Sequence, residues 1–209
     1  KHNIARFLFI STDKAVEPIS VMGKTKKVVE EYLLFKQTET TTTQLSILRL
    51  CNVYDSSGSV VPVFKERIKQ NLPLEIKGNE VQRAYIHKDQ LLPMVLAILD
   101  TAHSGGVFIP KLFSVQTVAQ IANHLVQELL GISLSEYPIA YKALPEYEKE
   151  KELLHLESDT VDSMDNDVLQ RIAPSTTQID IEMLTQCIEA AEAFKSAEAR
   201  VLLQKLALA

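Results

Sequence analysis

The sequence predicts an α/β fold built on a doubly wound parallel sheet, and three observations point there. Phe7-Leu8-Phe9-Ile10 is wholly apolar, as a strand covered on both faces requires, whereas a half-exposed strand alternates. A helical stretch follows, with Val21, Val28, Val29, Tyr32, Leu33 and Phe35 on its inward side. Leu45, Ile47, Leu48 and Leu50 then form a second strand that breaks at Asn52. Strand, helix and strand, with a polar loop after each strand, make the βαβ unit of such a sheet.

Each later element has its own signal. The run Thr38 to Thr43 ends the first helix, and Asp55-Ser56-Ser57-Gly58-Ser59 reads as a flexible loop before a short helix over 60–70. A pair of short strands is expected around Leu74-Glu75-Ile76 and Ala84-Tyr85-Ile86. A helix from Lys88 to about Thr101 carries Leu91, Leu92, Val95, Leu96 and Leu99, with Pro93 in its opening turn, where proline is tolerated. Gly105-Gly106 turns the chain into a strand at Val107-Phe108-Ile109. Ser114 is placed to cap a helix running to Leu130, with Gly131 closing it. The charge-dense stretch 145–151 reads as a solvated face. From Ile181 towards Leu208 the Ala-, Glu- and Leu-rich sequence reads as one long helix.

Composition narrows function. In 209 residues, 22 Lys and Arg face 27 Asp and Glu, a net charge of -5, which argues against a dedicated nucleic-acid binder. No apolar run approaches the roughly 20 residues that span a bilayer, so no membrane segment is expected. The opening Lys1-His2-Asn3-Ile4-Ala5-Arg6 lacks the apolar stretch of a signal peptide. Cys51 and Cys187 fit no metal or disulfide spacing, and His87, His103, His124 and His155 fit no ligand spacing. No metal site is expected, and the expected compartment is the cytoplasm. Met22-Gly23-Lys24-Thr25 ends like a phosphate-binding loop, but Pro18 stands where that loop needs its first glycine. No G-x-G-x-x-G loop is present, and a sheet that opens on a covered strand lacks its earlier strands. The chain therefore reads as the second half of a longer architecture.

The informative stretch is Ser11-Thr12-Asp13-Lys14-Ala15, then Pro18, then Met22-Gly23-Lys24-Thr25-Lys26. It resembles the active-site segment of the extended short-chain dehydrogenase/reductases, and among them the nucleotide-sugar 4,6-dehydratases of polysaccharide biosynthesis. Asn52-Val53, the loop 56–60, Pro62, Phe64-Lys65 and Arg83-Ala84-Tyr85-Ile86-His87 are similar to further parts of that family. The resemblance implies the C-terminal portion of a Rossmann-like sheet with a smaller α/β substrate-binding domain and a C-terminal helix. Residues 1–55 would hold the sheet and active-site segment, 56–155 the substrate region with the final sheet elements, and 156–209 a helical region.

It also implies chemistry. The substrate would be a UDP-sugar, UDP-N-acetylglucosamine in first place, and the cofactor NAD or NADP, bound tightly and regenerated each turnover. Lys14 would take the C5 proton, Asp13 would protonate the departing C6 hydroxyl, and Thr12 would hold the C4 oxygen. Both proton transfers need affinities tuned by burial and proximity. Ser11 and Lys26 would contact the cofactor. Met22 stands where most relatives carry a catalytic Tyr, and a thioether cannot act as a base; one branch of the family has Met there.

Asn52, Ser59, Lys65 and Arg83 would bind substrate. From the residues alone, Asn52 also reads as a turn former, Lys65 as solvated and Arg83 as a surface salt bridge. Two departures stand out. Glu17 replaces the usual Asn, and Leu144-Pro145-Glu146-Tyr147-Glu148-Lys149 replaces an Arg-Pro-Gly-Glu-Lys motif. Losing that Arg costs on the order of 1.5–3 kcal/mol of charged hydrogen bonding. Two rivals stay open: a nucleotide-sugar 4-epimerase, and a non-catalytic module that needs a partner chain. Pairing with a missing N-terminal half, or a homo-oligomer, is expected.

Overall fold

The computed structural model describes residues 4–40, 42–78, 80–100, 105–173 and 179–208. Contacts divide the chain into two units, one of residues 1–50, 94–111 and 153–209, the other of residues 51–93 and 112–152.

In the first unit, β1 (Arg6–Thr12) and β2 (Gln44–Leu50) run parallel, in register from Arg6 beside Gln44 to Thr12 beside Leu50. Helix α1 (Val21–Glu39) joins them, as the apolar spacing predicts. The sheet order is β1-β2-β6-β10-β9, with β6 (Gly106–Pro110) parallel to β2. Strands β10 (Leu169–Ile172) and β9 (Val161–Ser163) add antiparallel. The apolar run 7–10 predicts a strand covered on both faces. Instead β1 is an edge strand among the described residues, and Phe7 and Ile10 stay 42% and 44% exposed. β2, with a neighbour on each side, is buried from Ser46 to Leu50.

A buried ion pair ties α1 to this sheet. Arg49 of β2 donates through Nε and Nη2 to the two oxygens of Glu30 on α1 at 3.2 and 2.6 Å. Its Nη1 donates to the Leu154 carbonyl at 2.7 Å. Removing either partner would strand a charge in the core.

The C-terminal segment is two helices rather than one. α5 (Ile181–Glu192) and α6 (Ser196–Leu206) are separated by a turn in which Phe194 has φ 56°. Every residue there suits a helix, so no local signal marks the break. The turn lets α6 fold back along α5, and Met183, Leu184, Leu203, Leu206 and Ala207 pack together around Val28 of α1.

In the second unit, the two short strands expected around 74–76 and 84–86 are present and belong to different sheets. β4 (Leu74–Lys77) lies parallel to β8 (Ile139–Lys142), whereas β5 (Gln82–Ile86) lies between β3 (Asn52–Val53) and β7 (Ser114–Thr117). The partner of β4, β8, comes from more than sixty positions downstream. Ser114 opens β7 and caps nothing. The cap of α4 (Val118–Leu130) is Thr117, whose hydroxyl accepts from Gln120 N at 3.1 Å while Gln120 Oε1 accepts from Thr117 N at 2.8 Å. Gly131 closes the helix with φ 71°, as predicted. The core joins Val61, Phe64 and Ile68 of α2 (Val60–Lys69) to Ile121, Leu125 and Val126 of α4 over Leu74, Ile76 and Tyr85.

Helix α3 (Leu91–Asp100) follows a 3-10 turn at Lys88–Gln90 and keeps Pro93 in its first turn. Its buried residues are Met94 and Ile98, while Leu92, Leu96 and Leu99 are exposed. Thr101 and His103 lie outside the described residues. No described helix is long and apolar enough to cross a membrane.

Arg49→Met is expected to lower stability by about 3–5 kcal/mol by leaving Glu30 buried and unpaired; chemical denaturation of the variant checks this. Burial pushes the Tyr85 phenol up to about 12. The same phenol ionises near 10 once unfolded, so stability is full below that value and falls as pH rises towards 12. Denaturation midpoints against pH should lose that alkaline fall in Tyr85→Phe.

Candidate active site

The end of β1 passes into a single 3-10 turn, Asp13–Ala15, and Thr12 is its cap. The Thr12 hydroxyl accepts from Lys14 N at 3.4 Å and donates to Asp13 Oδ1 at 2.8 Å. Lys14 Nζ stands 3.0 Å from that same Oδ1. Thr12, Asp13 and Lys14 thus form one hydrogen-bonded group at the carboxyl end of a parallel strand, where open α/β sheets bind ligands.

Asp13 is 1% exposed, and its Oδ2 is buried with no hydrogen-bond partner among the described residues. Ser11 Oγ is buried in the same condition. Buried polar atoms are satisfied almost without exception, so such atoms at a strand end call for a partner, whether water, an ion or a ligand group. The side chain of Lys14 keeps 30% of its surface in solvent. A cavity of about 160 Å³ in this unit is lined by Ala15, Val16 and Glu17 with Lys27, Glu30 and Arg49, rather than by Asp13 and Lys14.

The first turn of α1 lies directly against this group. Ser20 caps the helix by accepting from Gly23 N at 3.0 Å. A Cβ on Gly23 would collide with the Lys14 carbonyl oxygen, so glycine alone permits the approach. Sequence reasoning passed over Gly23, although a glycine within a helical turn is the signal that reveals it. Met22, beside it, is 48% exposed. Lys26, one turn on, donates to the Ile10 carbonyl at 2.9 Å, with its Nζ 4.5 Å from the centre of the Phe9 ring. Glu17 takes φ 43°, a left-handed conformation that Asn adopts more readily than Glu.

The four substrate candidates belong to the second unit. Asn52 Nδ2 donates to the Ala84 carbonyl at 3.1 Å, stitching β3 to β5. Ser59 precedes α2 without capping it, and its Oγ is buried with no partner among the described residues. Lys65 pairs with Asp55 at 3.0 Å. Arg83 is 9% exposed, donates through Nη1 to the carbonyls of Gln82 and Glu150 at 3.0 and 3.1 Å, and lies 3.7 Å from Glu148. Within the stretch expected as a solvated face, Glu146, Tyr147, Glu150 and Lys151 are exposed, while Glu148 and the Glu150 carbonyl meet Arg83. His87 stacks on Tyr54, ring centroids 5.3 Å apart.

A family model described as polysaccharide biosynthesis protein matches residues 1–174. The chain belongs to that family. The UDP-N-acetylglucosamine 4,6-dehydratase (inverting) of Campylobacter jejuni is 30% identical over 65% of this chain and 42% of its own. The UDP-glucose 4-epimerase of Rickettsia bellii is 31% identical over 73% and 44% respectively. Among solved structures, DesIV of Streptomyces venezuelae, a dTDP-glucose 4,6-dehydratase with NAD and TYD bound, superposes with a TM-score of 0.60. It is 18% identical, and the match covers 68% of this chain and 49% of that one, so it shows the fold. The Rossmann-like α/β fold expected from the sequence is shared with that solved structure, and the curated relatives include both a dehydratase and an epimerase. The chain spans less than half the length of the curated relatives it matches.

For this member, Gly23→Ala gives opposed expectations. Helix propensity alone favours Ala by about 1 kcal/mol, whereas overpacking costs about 1–3 kcal/mol. The clash with backbone decides, so a lower denaturation midpoint is expected, and a raised one would show that the approach can relax.

Proposed function

We propose that this chain carries the acid–base centre of a nucleotide-sugar 4,6-dehydratase that acts on UDP-N-acetylglucosamine in the cytoplasm. The open, buried Oδ2 of Asp13 carries the reading. Both donors within the group, Thr12 Oγ1 and Lys14 Nζ, go to Oδ1, which leaves Oδ2 to hold a proton towards a departing hydroxyl. Lys14 removes the proton from C5, Asp13 protonates the C6 oxygen as it leaves with that proton as water, and Thr12 steadies the C4 oxygen. NAD or NADP, when bound, would accept hydride from C4 and return it to C6.

The residues present fit one end of that cofactor. Ser11 offers a buried hydroxyl and Lys26 an ammonium at the same strand end, which suits a ribose. The sequence carries no Gly-rich loop for the pyrophosphate, so tight binding calls for further chain. The exposed Phe7 and Ile10 on the edge strand β1 support pairing with additional strands.

A thioether neither gives nor takes the C4 hydroxyl proton, which either reaction must lose as hydride leaves C4, so that proton departs through Thr12, Asp13 or water. The adjacent Lys14 and Asp13 favour the dehydratase over the epimerase, because only elimination needs a base for C5 and an acid for the C6 hydroxyl. In the second unit, Asn52, Ser59, Lys65 and Arg83 are proposed to face the nucleotide.

Mass spectrometry of the protein incubated with NAD and UDP-N-acetylglucosamine is expected to reveal a product lighter by one water. Lys14→Ala, with unchanged circular dichroism, is expected to abolish it. An isobaric product would establish the epimerase, no product from an otherwise complete chain would favour the non-catalytic module, and normal turnover by Lys14→Ala would remove Lys14 as the base.

A further inference from the structure

The hairpin of α5 and α6 lies beyond residues 1–174, those the family model matches. One face of it packs on Val28 of α1. Another carries a groove of about 510 Å³ between the two helices, with Ala190, Ala193, Val201 and Leu202 as apolar lining and Glu189 and Glu198 as acidic lining. Phe194, in the turn that joins the helices, is 93% exposed. We propose that this hairpin pairs with the same hairpin of a second copy of the chain, each Phe194 entering the groove of the other. The pairing is independent of the sugar-nucleotide reading above.

Three observations carry it. Knob and socket adjoin, since Ala193 and Lys195, on either side of Phe194, both line the groove. A patch that holds both lets one two-fold rotation engage the two rings at once, which is the closed contact of a symmetric dimer. Any other occupant would have to bring its own apolar knob, and this chain carries one beside the socket. Next, Phe194 takes φ 56°, a left-handed conformation that a bulky ring rarely adopts. A residue that had only to turn the chain would be Gly or Asn, whereas Phe places a large apolar ring in water.

Lastly, the two helices carry opposite charge. α5 holds Glu182, Glu189 and Glu192 and no Lys or Arg, whereas Lys195 precedes α6 and Arg200 and Lys205 lie within it. The one acid of α6, Glu198, is 3.6 Å from Lys195. Glu189 has no ion pair among the described residues. In the two-fold pair Lys195 travels with Phe194 to the facing groove and meets Glu189 of the partner subunit there, so a cation opposes an acid on both sides of the axis.

Sedimentation equilibrium of the full chain over a range of concentrations tests this on the wild type, Phe194→Asn, Glu189→Lys, Lys195→Glu and the double charge reversal. The wild type is expected to dimerise. Phe194→Asn, whose new side chain suits the left-handed turn, is expected to raise the dissociation constant about thirtyfold. Each single charge reversal is expected to raise it about tenfold, and the double reversal to return it to the wild-type value. Matching circular dichroism establishes that the variants fold, and Val201→Gln tests the groove where Phe194→Asn does not. A wild type that stays monomeric would overturn the pairing. So would a dimer indifferent to Phe194→Asn and Val201→Gln, single reversals without effect, or a double reversal that recovers nothing.

Discussion

The Lys14 carbonyl oxygen occupies the space that a side chain at position 23 would need. Everything at the end of β1 follows from that contact. It sets the first turn of α1 against the 3-10 turn 13–15, and so decides where Met22 and Lys26 stand relative to Thr12, Asp13 and Lys14. The Ser20 hydroxyl supports the same turn from the other side by capping Gly23 N. A helix that begins with Ser-Val-Met-Gly can make this approach; one with Ala in the fourth place meets backbone, which cannot rotate away as a side chain would.

The far half of α1 is held differently. Glu30 is bound by Arg49, itself in the most buried stretch of β2, and Arg49 also reaches the Leu154 carbonyl. A paired charge in the core contributes little net stability, yet it tolerates few alternative registers, because each donor must meet its acceptor. Close packing at Gly23 and charge pairing at Glu30 therefore fix the helix at two points along its length. Val28, between them, is where α6 is received.

Much of this was legible in the residues, for reasons that also explain what was not. Apolar runs mark strands because burial acts on each residue locally, and β1, β2 and β6 appeared where 7–10, 45–50 and 107–109 placed them. Pairing is not local: nothing in Leu74-Glu75-Ile76 announces Ile139 as its neighbour. Ser114 and Thr117 are both good caps by type, and only the ladder from β7 to β5 decides between them. The break at Phe194 is invisible because no glycine marks it, the turn being stabilised by packing of both helices on α1. At the candidate site the Ser-Thr-Asp-Lys-Ala string was readable, whereas Gly23 mattered through a contact nine positions away. Glu148 looked like part of a solvated run because its cationic partners sit on β4 and β5.

Asp13 and Glu148 show how burial changes what a carboxylate beside a lysine can do. Asp13 is almost wholly buried, both of its donors go to one oxygen, and the other oxygen is open. Water cannot satisfy that oxygen in place, so its energy depends strongly on whether a proton or a ligand group is present. Glu148 is a third exposed, gives one oxygen to each of two cations, and sits in irregular chain. Water and counterions compensate its departure, so exchange for another anion costs little. The first environment suits a fixed atom whose protonation must change, and the second suits a contact that forms and breaks.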